Sequence, residues 1–303
     1  MLIPVLLAVT ILVSSLIYFS PGDPVRVMLG LRAHEEAVAK IREDLGLDRP
    51  AYVRYLLWVK NAVQGDLGRS LQRNEKVVDM ILDRLPATLE LTAAAILVTL
   101  ALAIPIGVIS ATRPNTLTDN ALSFFSLFWV SMPGFWVALI AILLLSMKLG
   151  LFPISGRAGP PWTLEGLRYL ALPALIVGLR SVAVISRLIR SSMLEILNED
   201  YIRTARSKGL AEKIVIYKHA LRNAMIPTVT IFGMQVPELL SLSLIIEIVF
   251  AWPGTGRLLV DAVFKRDYTL VQGIVLFYGL LVVLVNLLVD LLYSYIDPRI
   301  KRN

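Results

Sequence analysis

The chain has 303 residues, 56% of them hydrophobic, and a mean hydropathy of +0.71; an ordinary soluble protein is roughly 45–50% apolar. Six membrane crossings at about 20 apolar residues each would use only about 120 residues, so the length suits a polytopic membrane protein with little room for a separate soluble domain. The net charge of +7 does not call for nucleic acid, because Lys and Arg also set membrane orientation, and the lack of any cysteine excludes disulfides, thiol catalysis and iron–sulfur ligation.

Six apolar stretches predict spans at residues 1–20, 88–111, 121–149, 168–189, 224–250 and 271–296. The first has no basic n-region and no small-x-small cleavage site before Pro21-Gly22-Asp23-Pro24, so it reads as an uncleaved helix. Because no Lys or Arg anchors its start, a short basic segment ahead of Met1 is expected. Residues 21–87 form a 67-residue loop with 11 basic and 10 acidic residues, nearly neutral overall. Amphipathic helices are expected at 37–45 and 52–63, broken by Gly46-Leu47-Asp48-Arg49-Pro50. The organisation expected is therefore a first transmembrane helix (1–20), an extracytoplasmic loop (21–87), a transmembrane core (88–296) and a short cytoplasmic tail (297–303).

Orientation follows from short loops, since loops above about 60 residues cross largely regardless of charge. One side carries Arg113, eight Lys/Arg between Arg187 and Arg222, and Arg299, Lys301 and Arg302, 12 in all. The other carries Lys148, Arg157, Arg168, Arg257, Lys265 and Arg266, which is 6. Both termini are thus expected in the cytoplasm.

That charge map isolates residues 191–223, a cytoplasmic segment far longer than a turn requires. Glu199 and Asp200 precede Tyr201-Ile202-Arg203-Thr204-Ala205-Arg206-Ser207-Lys208, and Gly209 follows. Acids at the start, Lys in the last turn and Gly just beyond are helix start and stop signals that complement the macrodipole. A second amphipathic run follows, with Ile214, Tyr217 and Leu221 on one face. On physics alone, this pair of short surface helices either rests on lipid headgroups or docks against a partner.

The run Asp200-Tyr201-Ile202-Arg203-Thr204-Ala205-Arg206-Ser207-Lys208-Gly209-Leu210, continuing to His219-Ala220-Leu221-Arg222-Asn223-Ala224-Met225-Ile226-Pro227, resembles the cytoplasmic loop of binding-protein-dependent ABC importer permeases. More narrowly, it resembles the first permease subunit of the dipeptide/oligopeptide branch, which also includes nickel and glutathione permeases. Pro21-Gly22-Asp23-Pro24, Leu45-Gly46-Leu47-Asp48, Gly65-Asp66-Leu67-Gly68-Arg69-Ser70 and Phe250-Ala251-Trp252-Pro253-Gly254-Thr255-Gly256-Arg257 with Arg266-Asp267-Tyr268 match in order and spacing, so the likeness covers nearly the whole chain. One departure is that Arg203-Thr204-Ala205 stands where the general signature has Glu-Ala-Ala, while Gly209 keeps its place; the downstream Ile-x-Leu-Pro part is also out of register.

The resemblance implies an all-α fold with six transmembrane helices of the type I ABC importer permease kind, and a coupling helix between the fourth and fifth spans that sits on a separate ATPase subunit. Asp200, Tyr201, Arg203, Thr204, Ala205, Arg206, Lys208 and Gly209 would form that helix and its exit. The implied partners are a second homologous permease subunit, two ATP-binding subunits, an extracytoplasmic substrate-binding protein and membrane lipid. The cargo implied is a dipeptide or oligopeptide moved inward across the prokaryotic inner membrane, with nickel chelate or glutathione as alternatives.

Catalytic signatures are missing from the chain. There is no Gly-x-x-x-x-Gly-Lys-Ser/Thr loop to cradle phosphate, so ATP and magnesium would belong to partner subunits. The two histidines, His34 and His219, fall in loops on opposite sides and form no zinc motif. The two glycine motifs, 65–70 and 254–257, read as outward turns. Charges inside spans usually face protein or a water-filled path. Arg180 and Arg187 lie seven residues apart on one helical face, and Glu238 follows the helix-bending Pro237 near mid-span. These three are candidates for a translocation path, with a structural ion pair of Glu238 with Arg180 or with the second permease as the alternative. Glu90 is a further charge, near the outer end of the second span, and Glu247 and Asp290 lie near span ends where snorkelling to water suffices. The aromatics at 124–125, 128–129 and 135–136 are read as lipid or packing contacts, with substrate contact as the alternative. An ion-coupled secondary transporter would also carry intramembrane acids, but it would show an inverted repeat, and none is evident.

Overall fold

A computed structural model describes residues 48–296 and, before them, only residues 7, 8, 10–12, 14, 15, 34, 36, 39 and 42; side chains at 290 and 292–296 are not described. Residues 7, 8, 10–12, 14 and 15 of the expected first span are helical. The rest of that span, most of the 37–45 helix, the tail 297–303 and the Asp290 side chain lie outside the described residues. The described residues are almost entirely helical: α1 (Ala51–Val63), α2 (Val77–Thr112), α3 (Leu117–Ser131), α4 (Gly134–Ala141), α5 (Leu164–Leu197), α6 (Asp200–Ser207), α7 (Glu212–Ile214), α8 (Arg222–Val249), α9 (Thr255–Phe264) and α10 (Tyr268–Ile296). Four helical stretches are long and apolar enough to cross a membrane, with a bent pair as a fifth.

The chain divides into two compact units. In the first (1–88 and 253–284), the turn after α1 is held by Asp267 at the start of α10. Its carboxylate accepts from the Ser70 hydroxyl, from the Leu71 N–H at 3.1 Å and from the Leu270 N–H at 3.3 Å. One side chain thereby caps a helix N-terminus, where negative charge is favoured, and holds a turn almost 200 residues away in sequence. A buried hydroxyl chain adds to this: Thr88 and Thr255 lie 2.9 Å apart, and Thr255 lies 2.9 Å from Tyr278. The 65–70 motif is a turn, with Gly65 and Gly68 at positive φ. The 254–257 motif is instead the start of a helix: Gly254 precedes the first residue of α9. Small residues there let the backbone enter a helix with Thr255 and Gly256 buried.

The second unit (89–252 and 285–303) contains the predicted coupling segment. Its core joins Val108 and Ala111 of α2, Ile185, Ile189 and Met193 of α5, and Ala224 of α8. Gly107 permits the α2–α5 approach, since a Cβ there would lie 2.6 Å from the Cβ of Ile189.

Three boundaries differ from the sequence expectation. The second span begins at Val77 rather than residue 88; its 36 residues rise about 54 Å, well beyond a hydrocarbon core of about 30 Å. The third span is broken into α3 and α4, which meet at 107°. Met132 is extended (φ −89°, ψ 135°) ahead of Pro133, as the clash with a following proline ring requires. Finally, the second amphipathic run is not a separate surface helix. α7 passes through a π-helical turn (Val215–Leu221) directly into α8, giving one 38-residue helical path from Glu212 to Val249. Pro227 and Pro237 fall within α8 without ending it.

Candidate coupling helix and a cavity beside Arg180

The helix predicted at 201–208 forms at Asp200–Ser207. Only two residues, Asn198 and Glu199, separate it from α5, and four, 208–211, separate it from α7. Ile202 and Ala205 face inward, 0% and 7% exposed, into the cluster with Ile189, Met193, Val215 and Ala220. The i, i+3 spacing puts both on one face. Ala205, expected among the contact residues, turns its methyl toward this cluster. Asp200, Tyr201, Arg203, Thr204, Arg206, Lys208 and Gly209 are all exposed on the remaining face.

Local bonds stiffen this helix. Thr204 donates to the Asp200 carbonyl at 2.9 Å, Arg203 lies 3.4 Å from the Asp200 carboxylate, and Asn223 of α8 donates to the Tyr201 hydroxyl at 2.8 Å. Arg206 reaches across the link to Glu212 at 2.8 Å, and that carboxylate raises the guanidinium pKa above its ordinary value. Gly209 has φ +75°, the left-handed conformation that terminates helices and that residues with a Cβ adopt at a cost. A Cβ built there meets nothing within 4 Å, so any penalty at this position comes from the backbone alone.

Where α5 runs down toward α6, it carries a second arrangement that sequence reasoning missed. Arg190 donates from Nε and Nη2 to the two carboxylate oxygens of Asp119, both at 2.7 Å. Asp119 is 2% exposed and also accepts from the Ser110 hydroxyl and the Asn115 N–H. A forked, fully hydrogen-bonded pair of this kind is the form in which a buried charge is tolerated.

Ten residues earlier in α5 the geometry is different. Arg180 and Glu238 approach to 3.4 Å through one atom pair, and their side chains are 53% and 37% exposed. Arg187 is also exposed on the same face. The structure therefore brings Arg180 and Glu238 together in the ion pair weighed as the alternative and leaves Arg187 outside it. Beside Arg180, a cavity of about 240 Å³ opens at the α3–α4 break, walled by Trp129, Pro133, Val177 and Leu242. The aromatics around it stack on one another: Phe125 and Phe128 meet Trp129 edge-on at 5.5 and 5.6 Å between centroids.

Two other charges resolve differently. Glu90 accepts from Arg157 at 2.6 Å, and Arg157 lies 6.0 Å from the centre of the Trp252 ring. Glu247 is 0% exposed, which corrects the snorkelling expectation; just beyond it the chain turns, with the Trp252 N–H donating to the Glu247 carbonyl at 2.8 Å. No group of three or more His, Cys, Asp or Glu suited to a metal occurs among the described residues.

Residues 103–302 match the family described as binding-protein-dependent transport system inner membrane component, and residues 1–92 match the N-terminal family of the same systems. The chain belongs to this permease family. It is 41% identical over 322 residues to the dipeptide transport system permease protein DppB of Alkalihalophilus pseudofirmus, covering 99% of this chain and 97% of the relative. It is 44% identical to the di/tripeptide transport system permease protein DppB of Pseudomonas aeruginosa (99% and 96%) and 41% identical to the oligopeptide transport system permease protein AppB of Bacillus subtilis (99% and 96%). Among solved structures, a chain of the MetNI methionine ABC transporter in inward-facing conformations superposes with a TM-score of 0.58 at 18% identity, covering 73% of this chain and 97% of that one. The permease thus shares the all-helical fold of ABC importer membrane subunits and is a multi-pass inner membrane component.

Proposed function

We propose that this chain is the non-catalytic permease subunit of an ATP-driven importer of dipeptides or oligopeptides. The observation that carries the reading is 41–44% identity, over 99% of the chain, to relatives named as dipeptide, di/tripeptide and oligopeptide permeases. In this reading a second, homologous permease completes the path, two ATP-binding subunits supply ATP and magnesium chemistry, and an extracytoplasmic binding protein delivers cargo. Both termini and α6 lie in the cytoplasm. The outer loop, 21–87, forms part of the docking surface or outer gate.

The local geometry suits coupling. A partner that moves α6 moves a rigid unit, because Ile202 and Ala205 are packed among residues of α5 and of the helical path into α8, and close-packed apolar contacts transmit displacement. The links at both ends are too short to absorb it. Asp200, Tyr201, Arg203, Thr204, Arg206, Lys208 and Gly209 are the residues assigned to the ATPase contact, with Ala205 as their anchor. Arg180, Arg187 and Glu238 are assigned to the path, since half-exposed charges at mid-span need water or a protein partner.

The test is reconstitution in vesicles with the second permease, the ATPases and the loaded binding protein. Labelled dipeptide should accumulate only with ATP inside the compartment that holds the ATPases. Uptake that ignores ATP and follows a proton gradient would reject the proposal in favour of an ion-coupled transporter.

A further inference from the structure

The cavity beside Arg180 has features that the path assignment does not use. It is apolar on most sides, and its volume, about 240 Å³, exceeds the roughly 150 Å³ that holds a benzene ring in a protein core. One charged group lines it, the Arg180 guanidinium. That guanidinium is held by Glu238 through a single 3.4 Å approach, whereas Arg190 in the same helix makes two bonds at 2.7 Å to its acid. Apolar walls and a loosely held guanidinium match one chemical class: an apolar side chain with a carboxylate one carbon away, the C-terminal residue of a peptide.

Resting on the import reading above, we propose that this cavity is a transit subsite for the C-terminal residue of the peptide. The side chain enters the cavity at the α3–α4 break, and Arg180 exchanges Glu238 for the peptide carboxylate. Glu238, released, is left to face the cationic remainder of the peptide. Because the partner being exchanged is a carboxylate on both sides, the swap replaces one ion pair of Arg180 with another of the same kind. The subsite is thereby selective without holding its ligand tightly, which suits a path.

Gly134 gives a clean test. It lines the cavity, a Cβ built on it meets nothing within 4 Å, and as the first residue of α4 it accepts a side chain without displacing a neighbour. In the complete transporter with saturating loaded binding protein, Gly134→Leu should lower ATP-driven uptake of Ala-Phe by about tenfold, the scale of a pocket-size discrimination. Ala-Ala uptake should stay within about twofold. Arg180→Gln should lower uptake of both peptides by about tenfold, the scale of a lost hydrogen bond to a charged group, and Arg180→Lys should restore most of it. Equal losses of Ala-Phe and Ala-Ala in Gly134→Leu, no loss of either, or unchanged uptake in Arg180→Gln would overturn the subsite while leaving the import reading standing. Absence of ATP-driven uptake of both peptides in the unmodified complex would overturn the import reading, and the subsite with it.

Discussion

α5 carries two arginine–carboxylate pairs ten residues apart, built to opposite specifications. Arg190 meets Asp119 with two parallel bonds at 2.7 Å, and the acid is 2% exposed. Arg180 meets Glu238 at 3.4 Å through one contact, and both side chains are open. The first fastens the turn between α2 and α3 to the end of α5 that leads into α6. The second borders a cavity at a broken helix. Charge identity and helix are the same in both; what separates a fastener from an exchangeable contact is desolvation and the number of bonds that satisfy the acid.

The contrast can be broken most forcefully at the fastener. Asp119→Ala strands Arg190 and should cost about 3–5 kcal/mol, the penalty for breaking a buried pair, read as a lowered midpoint in thermal unfolding of the purified complex. A loss no larger than that at an exposed pair would erase the distinction. Ile202→Ala should follow at about 2–4 kcal/mol, because it opens a cavity in a cluster where Ile202 is 0% exposed. In that variant ATP hydrolysis should continue with less uptake per ATP, since α6 would no longer move as one piece with α5 and α8.

At Gly209 the expected cost is smaller and purely conformational. Gly209→Val forces a β-branched residue to φ +75° and should cost about 1–2 kcal/mol while uncoupling hydrolysis from uptake. Gly209→Asn, whose side chain tolerates the left-handed region, should retain coupling. Equal behaviour of the two variants would show that the left-handed backbone conformation does not govern this position. The smallest effect on stability is expected at the loose pair. Arg180→Gln should shift the unfolding midpoint by less than about 1 kcal/mol, as for other exposed pairs, although its effect on uptake is large. A stability loss matching that of Asp119→Ala would make Arg180 a second fastener and not a path residue.

The coupling helix was legible because its signals are local. Acids at 199 and 200, a basic last turn and Gly209 sit within a dozen residues, and helix start and stop depend on such neighbours. The Asp119–Arg190 pair was not, because its partners are 71 positions apart and Asp119 has a sufficient local explanation. Thr116 and Asp119 have the spacing of a helix N-cap, and Thr116 does accept from the Asp119 N–H. The useful clue was an acid only two residues inside a helix whose remainder is uncharged, in a chain with few charges near its spans. The broken third span was signalled by Pro133, yet Pro227 and Pro237 are carried inside α8. A proline permits a break, and packing around it determines whether one occurs.

By itself, the sequence determined what depends on composition and near neighbours: the membrane class, the six apolar stretches, the charge asymmetry and the short helix ended by Gly209. The tertiary structure alone decided which charges are locked and which are open. It set Asp119 against Arg190, buried Glu247, turned Ala205 inward and opened a cavity at Met132–Pro133. The reason is physical: helix propensity and hydropathy act over a few residues, whereas desolvation and hydrogen-bond satisfaction are set by what the fold brings alongside.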